Sequence, residues 1–249
     1  RLTGLFVAAN AGLLLAQLTA AWSFYFVARR LRCRREWAVA GALLFSYNYS
    51  AFHRGLAHFS LIFNWTVPLG LLAVALIARS RRLHWRGAGA VLCLATGVAL
   101  GAHNPYNLYF WTWLLGWALL AQWLGARRRA NLQIGLATLA LAFAVFFATN
   151  LEYWLYVDDL GAQPLLDRNY AGTEHYALKP VEMLIPPAFH RWDALAFFGH
   201  RYLRWSDWRG EVFLPYLGLA GIAALIWLAA TTAAKLLRRR APPAPALAI

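Results

Sequence analysis

The stretch LLLAQLTAAWSFYFVARRLRCRR, residues 13–35, joins a long apolar run to a cluster of five arginines. Three further basic clusters follow apolar stretches, and the four clusters together hold 16 of the 24 basic residues. Basic residues near the ends of membrane helices stay on the cytoplasmic side. The clusters therefore predict the topology of a protein that crosses the membrane several times. They consist of Arg29, Arg30, Arg32, Arg34 and Arg35; Arg79, Arg81, Arg82 and Arg86; Arg127, Arg128 and Arg129; and Lys235, Arg238, Arg239 and Arg240.

The composition is too apolar for an ordinary soluble domain. The chain of 249 residues is 61% hydrophobic, with a mean hydropathy of +0.47, which is typical of proteins with several membrane helices. The net charge of +14 indicates topology and attraction to anionic lipid headgroups rather than binding of nucleic acid. Cys33 lies in the first basic cluster and Cys93 in a predicted membrane helix, so we expect neither a disulfide nor a metal site from them.

The spacing of the basic clusters predicts an all-α, polytopic transmembrane helical bundle of about seven spans. Between two clusters that both face the cytoplasm, the chain must cross outward and return. We expect a transmembrane domain over residues 1–240, with an outer segment at 152–211, and a disordered, Pro/Ala-rich cytoplasmic tail at 241–249. Pro68 is expected to kink the third span. The predicted spans are Gly4–Val27, Trp37–Ala51, Leu61–Ala78, Gly87–Ala102, Asn107–Leu124, Asn131–Leu151 and Val212–Ala234.

The acidic residues lie almost entirely on the predicted outer side. Nine of the ten fall between Glu152 and Glu211, and only Glu36 lies elsewhere, beside a basic cluster. Catalysis on a polar substrate usually needs carboxylates as a base, a metal ligand or a charge partner. If the chain performs chemistry, we therefore expect that chemistry on the outer face.

The first outer turn, residues 47–60, contains a single basic residue, Arg54, between His53 and His58. A guanidinium group supplies a forked donor suited to phosphate, although an interfacial arginine that snorkels to the headgroups fits equally well. The two histidines are five residues apart, which is not one helical face, so a metal pair is not expected. These three residues are candidates for substrate binding.

A second outer turn reads His103-Asn104-Pro105-Tyr106. An Asn-Pro step marks a turn, and imidazole, amide and phenol groups at a membrane rim can hydrogen-bond sugar hydroxyls. The alternative is a plain helical hairpin in which Tyr106 belongs to an aromatic belt. We include His103, Asn104 and Tyr106 among the candidates for substrate binding.

The outer segment is dense in polar and charged side chains at its centre. An acid, an imidazole and cations in one short stretch can hold a phosphate and steer a proton, although a solvated loop is the alternative. From Leu184 to Trp208, aromatic residues alternate with Arg and His, which favours a helix lying in the headgroup plane. The catalytic candidates are Glu174, His175 and Glu182, and the candidates for substrate binding are Lys179, His190 and Arg191.

Several of these stretches together suggest a family. They are the turn Tyr49–Arg54 (YSAFHR), the turn His103–Tyr106 (HNPY), and Tyr176–Pro180 (YALKP), followed by Pro186-Pro187 and His190-Arg191. With the arginine-capped spans, this layout resembles bacterial polytopic membrane proteins of the GT-C glycosyltransferase type. The layout is similar to that of protein O-mannosyltransferases and lipid A aminoarabinose transferases. The resemblance covers most of the chain.

The resemblance implies an inverting enzyme of the bacterial plasma (inner) membrane that transfers a sugar on the outer face from a polyprenyl-phosphate donor. The usual catalytic Asp or Glu of the family lies in its first outer loop. Residues 47–60 and 102–107 contain no carboxylate, so we expect that group upstream of Arg1, in a chain truncated at its N-terminus. Arg54, His103 and residues 174–182 then have supporting roles. The lipid phosphate would leave with or without a divalent metal, for which no ligand is assigned.

Two other classes of protein fit the sequence less well. An ion-coupled transporter usually has charged residues inside its spans, and the predicted span cores contain almost none. A lipid or polysaccharide flippase is not excluded by that observation. A non-catalytic assembly subunit that only binds partner proteins also remains open.

Overall fold

The computed structural model describes residues 2–48, 59–126, 129–156, 179–206 and 215–240. These residues form helices and turns without a strand, which confirms the all-α class. The helices are α1 (Leu2–Arg30), α2 (Arg35–Ser46), α3 (Phe59–Ile62), α4 (Thr66–Arg79), α5 (Ala88–Gly101), α6 (Pro105–Ala121), which continues into a π-helical turn (Gln122–Ala126), α7 (Arg129–Thr149), α8 (Leu151–Tyr156), a 3-10 helix (Pro180–Met183), α9 (Asp193–Trp205) and α10 (Gly218–Arg240).

Among the described residues, three helices are long and apolar enough to cross a membrane. They are Gly4–Arg30, Arg129–Thr149 and Gly218–Lys235. Helices α4 and α5 are apolar but have 14 residues each, which is about 21 Å of helix against a hydrocarbon core of about 30 Å. The protein is therefore a helical membrane protein, and the count of seven spans stays a prediction.

The predicted third span is broken near its start. Helix α3 ends at Ile62, and α4 begins at Thr66 after a turn at residues 63–65. Pro68 lies in the first turn of α4, where its missing N–H would have no partner within the helix in any case. The break includes Asn64, the i−4 position relative to Pro68, where a proline removes a helical hydrogen bond. The span is therefore interrupted just before the proline rather than kinked within one continuous helix.

The chain divides into two compact units, Arg1–Gln163 and Pro164–Ile249. In the first unit, α4 to α7 form an antiparallel bundle whose core includes Ile77, Leu100, Leu115 and Ile134, all at most 1% exposed. Helices in membranes associate by close packing through small residues. The bundle has such a contact between α5 and α7.

The contact between α5 and α7 depends on Gly97 and Gly101, which have the G-x-x-x-G spacing. A Cβ at Gly97 would lie 2.7 Å from the carbonyl oxygen of Thr138, and a Cβ at Gly101 would clash with the carbonyl oxygen of Ala142. The two backbones can approach this closely only because both residues lack a side chain.

Two buried amide side chains close the end of the bundle where α4 terminates. Asn131, fully buried, donates from Nδ2 to the carbonyls of Ile77 at 3.2 Å and Ser80 at 2.8 Å, and its Oδ1 accepts from the Leu83 N–H at 2.8 Å. Gln122 Nε2 donates to the carbonyls of Ile77 at 3.1 Å and Ala78 at 2.7 Å. These bonds satisfy carbonyls at the C-terminus of α4 that have no partner within the helix.

The same bonds bring the ends of three helices together. Gln122 follows α6, Asn131 lies in the first turn of α7, and both reach the end of α4 at Arg79. Arg129 and the second basic cluster therefore lie at one end of the bundle, as the topology prediction requires. Residues 127 and 128 lie outside the described residues.

We expect Asn131→Leu to lower the free energy of unfolding by about 3 kcal/mol, since buried backbone groups left without a partner cost about 1–3 kcal/mol each. Asn150 is the matched control, because its amide donates to the Phe146 carbonyl on the exposed surface. Asn150→Leu should change the free energy by about 0.5 kcal/mol or less. Denaturant titration in mild detergent measures both, and equal effects would contradict the assigned role of Asn131.

Candidate functional site

The turn between α5 and α6 is held by Asn104, which is 5% exposed. Its Oδ1 accepts from the Tyr106 N–H at 2.8 Å and caps α6, with Pro105 at the first helical position. Its Nδ2 donates to the carbonyl of Ser60 at 3.4 Å. Both ends of the amide are therefore engaged in holding the turn, whereas Tyr106 is half-exposed.

His103 lies beside the turn that precedes α4. Its ring makes edge contacts with Trp65 and Phe63, at centroid distances of 5.9 and 6.4 Å. Burial lowers the pKa of His103 below its ordinary value, so the ring is neutral near pH 7. Its Nδ1 is buried and has no hydrogen-bond partner. Of this turn, His103 is therefore the side chain with unused hydrogen-bonding capacity on a buried atom.

Glu182, in the second unit, is the single buried acid among the residues that the structure describes. Its side chain is 4% exposed, whereas Glu36, Glu152 and Asp193 are all exposed. The hydroxyl of Tyr202 donates to Glu182 Oε1 at 2.8 Å. A buried carboxylate is costly unless it is paired or has a task. Glu182 is therefore the strongest candidate of the described chain for acid–base chemistry.

Tyr202 keeps its proton in this arrangement. Burial, followed by the hydrogen bond to Glu182, raises the pKa of the phenol above its ordinary value, so Tyr202 acts as a donor at neutral pH. A second phenol in this unit, that of Tyr216, has a buried hydroxyl without a partner. Two protonated phenols and one carboxylate thus belong to the same compact unit.

Backbone hydrogen bonds fix the position of Glu182. It lies in the 3-10 helix that starts at Pro180, and its N–H donates to the carbonyl of Lys179 at 2.9 Å. The next residue, Met183, accepts from the N–H of Leu217 at 3.1 Å, directly before α10 begins at Gly218. The acid is therefore held at the N-terminal end of a helix long enough to span the membrane.

Helix α9 is held against the segment after the 3-10 helix by Gly199. A Cβ there would lie 2.5 Å from the carbonyl oxygen of Pro186 and would clash with the backbone of Ala188. This close approach fixes the helix that carries Tyr202, three residues further on. Phe198 and Trp205 on the same helix are 54% and 79% exposed, so α9 has a buried face and an aromatic exposed face.

Lys179 and Arg191 flank Glu182 in the sequence. Within the described part of the chain, neither forms an ion pair with it. Lys179 is half-buried and Arg191 is exposed. His190 Nδ1 accepts from the Trp192 N–H at 3.1 Å, so this nitrogen is engaged within the turn.

Five sequence candidates lie outside the described residues: His53, Arg54, His58, Glu174 and His175. Within the described part, no group of three or more His, Cys, Asp or Glu residues could hold a metal ion. Tyr202, Trp65 and Phe63 were not predicted as site residues. Gly199 and Tyr202 are three apart and share a helix face, but that spacing does not indicate the contact between Tyr202 and Glu182.

An open groove of about 380 Å³ runs along α6 and is lined by Thr112, Trp113, Gly116, Trp117 and Leu120. The lining is apolar apart from one hydroxyl and two indole N–H groups and contains no acid, imidazole or thiol. This groove therefore offers surface for lipid chains rather than for chemistry.

Comparisons with known proteins give no relative: no family model, no curated protein and no solved structure matches the chain significantly.

We expect Gly199→Ala to lower the free energy of unfolding by about 1–3 kcal/mol, because the added methyl group meets backbone atoms that cannot move aside. Gly116 is the control, since a Cβ there would meet nothing within 4 Å. Gly116→Ala should be neutral or stabilise α6 by about 0.5–1 kcal/mol. Thermal melting in detergent compares the two variants, and equal tolerance at both sites would contradict the packing of α9.

Proposed function

We propose that the protein is a seven-span membrane glycosyltransferase that moves a sugar from a polyprenyl-phosphate donor to an acceptor hydroxyl on the outer face of the membrane. The observation that carries the proposal is the buried Glu182, hydrogen-bonded by Tyr202. The carboxylate belongs to the segment that the arginine clusters predict to lie outside, where a lipid-linked sugar and its acceptor would meet.

Glu182 is the proposed general base, in place of the upstream carboxylate that the family resemblance implies. Its carboxylate takes the proton of the acceptor hydroxyl while that oxygen forms a bond to the anomeric carbon. The bond from the anomeric carbon to the lipid phosphate breaks on the opposite side of the sugar, which inverts the anomeric centre. The leaving phosphate carries the negative charge away, and Lys179 and Arg191 supply cations for it. Tyr202 holds one carboxylate oxygen, so the other is available for the proton.

The outer segment is proposed to lie at the level of the lipid headgroups. The carbonyl of Met183 accepts a hydrogen bond from the N–H of Leu217, one residue before α10 begins. Glu182 therefore lies close to the end of a candidate span. Helix α9 exposes Phe198 and Trp205 together with arginines, as interfacial helices do. At this depth the carboxylate would reach the phosphate end of a lipid whose chain stays in the membrane.

The lack of charged residues within the three candidate spans of the described chain argues against the alternative of an ion-coupled transporter. In the three candidate spans, the charged residues are Arg29, Arg30, Arg129 and Lys235, all at an end of the span. Transport paths usually contain ionisable groups inside the membrane. Neither a lipid flippase nor a non-catalytic assembly subunit requires Glu182 as a base, so substitution of this acid separates them from the transferase.

The proposal is tested by assaying the full chain in liposomes with polyprenyl-phosphate mannose as donor and a soluble alcohol as acceptor. Glu182→Gln keeps an acceptor for the Tyr202 hydroxyl but removes the base, so kcat should fall by about 10²–10⁴ with donor binding unchanged. Glu152→Gln, at an exposed acid of α8, is the control and should leave kcat unchanged. Tyr202→Phe should lower kcat less than Glu182→Gln does.

Two results would reject the proposal in different ways. Full activity of Glu182→Gln would remove Glu182 as the base and leave Glu174, tested by Glu174→Gln, as the remaining acid candidate. Movement of the intact donor across the bilayer without sugar transfer, in wild type and variant alike, would show a flippase instead.

A further inference from the structure

Arg32 has a left-handed backbone, with a φ of 65°, in the turn that joins α1 to α2. Its N–H donates to the carbonyl of Arg29 at 3.1 Å, and the Cys33 N–H donates to the carbonyl of Ala28 at 2.9 Å. This pair of bonds forms the Schellman ending of a helix, where glycine is usual. A Cβ strains the left-handed backbone, so an arginine at this position lowers the stability of the turn relative to glycine.

Two neighbouring arginines have partners within the turn. Arg29 Nη1 donates to the carbonyl of Cys33 at 2.7 Å, which adds a third hydrogen bond across the helix ending. Arg34 Nε lies 3.5 Å from the carboxylate of Glu36, in an exposed ion pair. These contacts define the shape of the turn and use two of its five cations.

The other three cations of the cluster point into solvent-accessible space. Arg30, Arg32 and Arg35 are exposed, and no described residue accepts a hydrogen bond from their side chains. Three guanidinium groups on one tight turn form a concentrated positive patch. A guanidinium group presents a planar fork that matches two phosphate oxygens.

The position of the turn along the membrane normal follows from the span that precedes it. The candidate span Gly4–Arg30 ends two residues before Arg32. Leu31 and Trp37 on either side of the turn are 60% and 69% exposed, and apolar and indole side chains of this kind are enriched at the membrane–water interface. The three cations therefore lie at the depth of the lipid headgroups.

We propose that this turn is a binding site for the headgroup of an anionic phospholipid, in the leaflet at the Arg30 end of α1. The Arg32 guanidinium donates paired hydrogen bonds to the phosphate, and Arg30 and Arg35 neutralise the remaining charge. Diffuse attraction between a basic cluster and the membrane does not require an arginine at the strained position. A contact with one phosphate group gives the strained position a reason to carry arginine, because glycine, which fits that backbone better, cannot make the contact.

The test compares three variants of the full chain in detergent by native mass spectrometry, with phosphatidylglycerol as the probe. Arg32→Ala and Arg32→Gly should each weaken the first binding step by about tenfold, more than the roughly fivefold expected when one diffuse cation is lost. Arg82→Ala, which removes one exposed cation between α4 and α5, should weaken it by no more than the roughly fivefold of a diffuse cation. Arg32→Gly should also melt at a higher temperature than Arg32→Ala, because glycine relieves the strain.

The proposal fails if either Arg32 variant binds phosphatidylglycerol as wild type does, or if Arg82→Ala has an equal effect. Equal affinity of the wild type for phosphatidylcholine would show that the headgroup charge is not recognised. Displacement of the lipid by millimolar inorganic phosphate would show a site for a free anion instead. If both Arg32 variants lose binding while Arg32→Gly melts at a higher temperature than Arg32→Ala, the loss of binding does not result from a loss of stability. None of these outcomes depends on glycosyltransferase activity.

Discussion

The side chains of Asn131 and Gln122 tie three helix ends of the first unit together at the C-terminus of α4. Helix C-terminal carbonyls must find partners when they are buried, and here both partners come from elements 44 to 54 residues further along the chain. Because the contact joins α4, α6 and α7, it also sets which ends of the bundle carry arginine. The opposite end is then left for the aromatic and imidazole groups around His103.

In both units, glycine residues allow two backbone segments to approach closely, with a different consequence in each unit. In the first, glycines of α5 allow two backbones to touch and a core to form in an apolar environment. In the second, Gly199 allows α9 to press on Pro186 and Ala188, and this contact brings Tyr202 to Glu182. Glycine lets two backbones approach closely, and such close packing is a driving force for helix association in membranes. Here it also produces a buried acid at the end of a candidate span.

The approximate positions of the helices could be predicted from the sequence, because apolar runs that lie between arginine clusters are typical of membrane helices. The break at residues 63–65 could not, since Asn64 is the single polar residue there and one asparagine within an apolar run does not by itself indicate a break. The role of Asn131 could not be read from the sequence either, because an asparagine at the start of a span looks like an ordinary helix residue until its distant partners are known. Among the polar residues of the outer segment, Glu182 was one candidate of several. It accepts a hydrogen bond from Tyr202, 20 residues away, and spacing alone does not predict that contact.

The account as a whole requires the arginine turns and the Glu182 segment to lie on opposite sides of the membrane. Labelling of intact cells with a membrane-impermeant thiol reagent measures this directly. Cys33 reports on the first basic turn, while Cys93 is fully buried, and Trp192→Cys in a Cys33→Ser background reports on the outer segment from a site that is 60% exposed in the native protein. The thiol at 192 should react in intact cells, and Cys33 only after permeabilisation. Reaction of both thiols from the same side would contradict the topology and, with it, the proposed sugar chemistry.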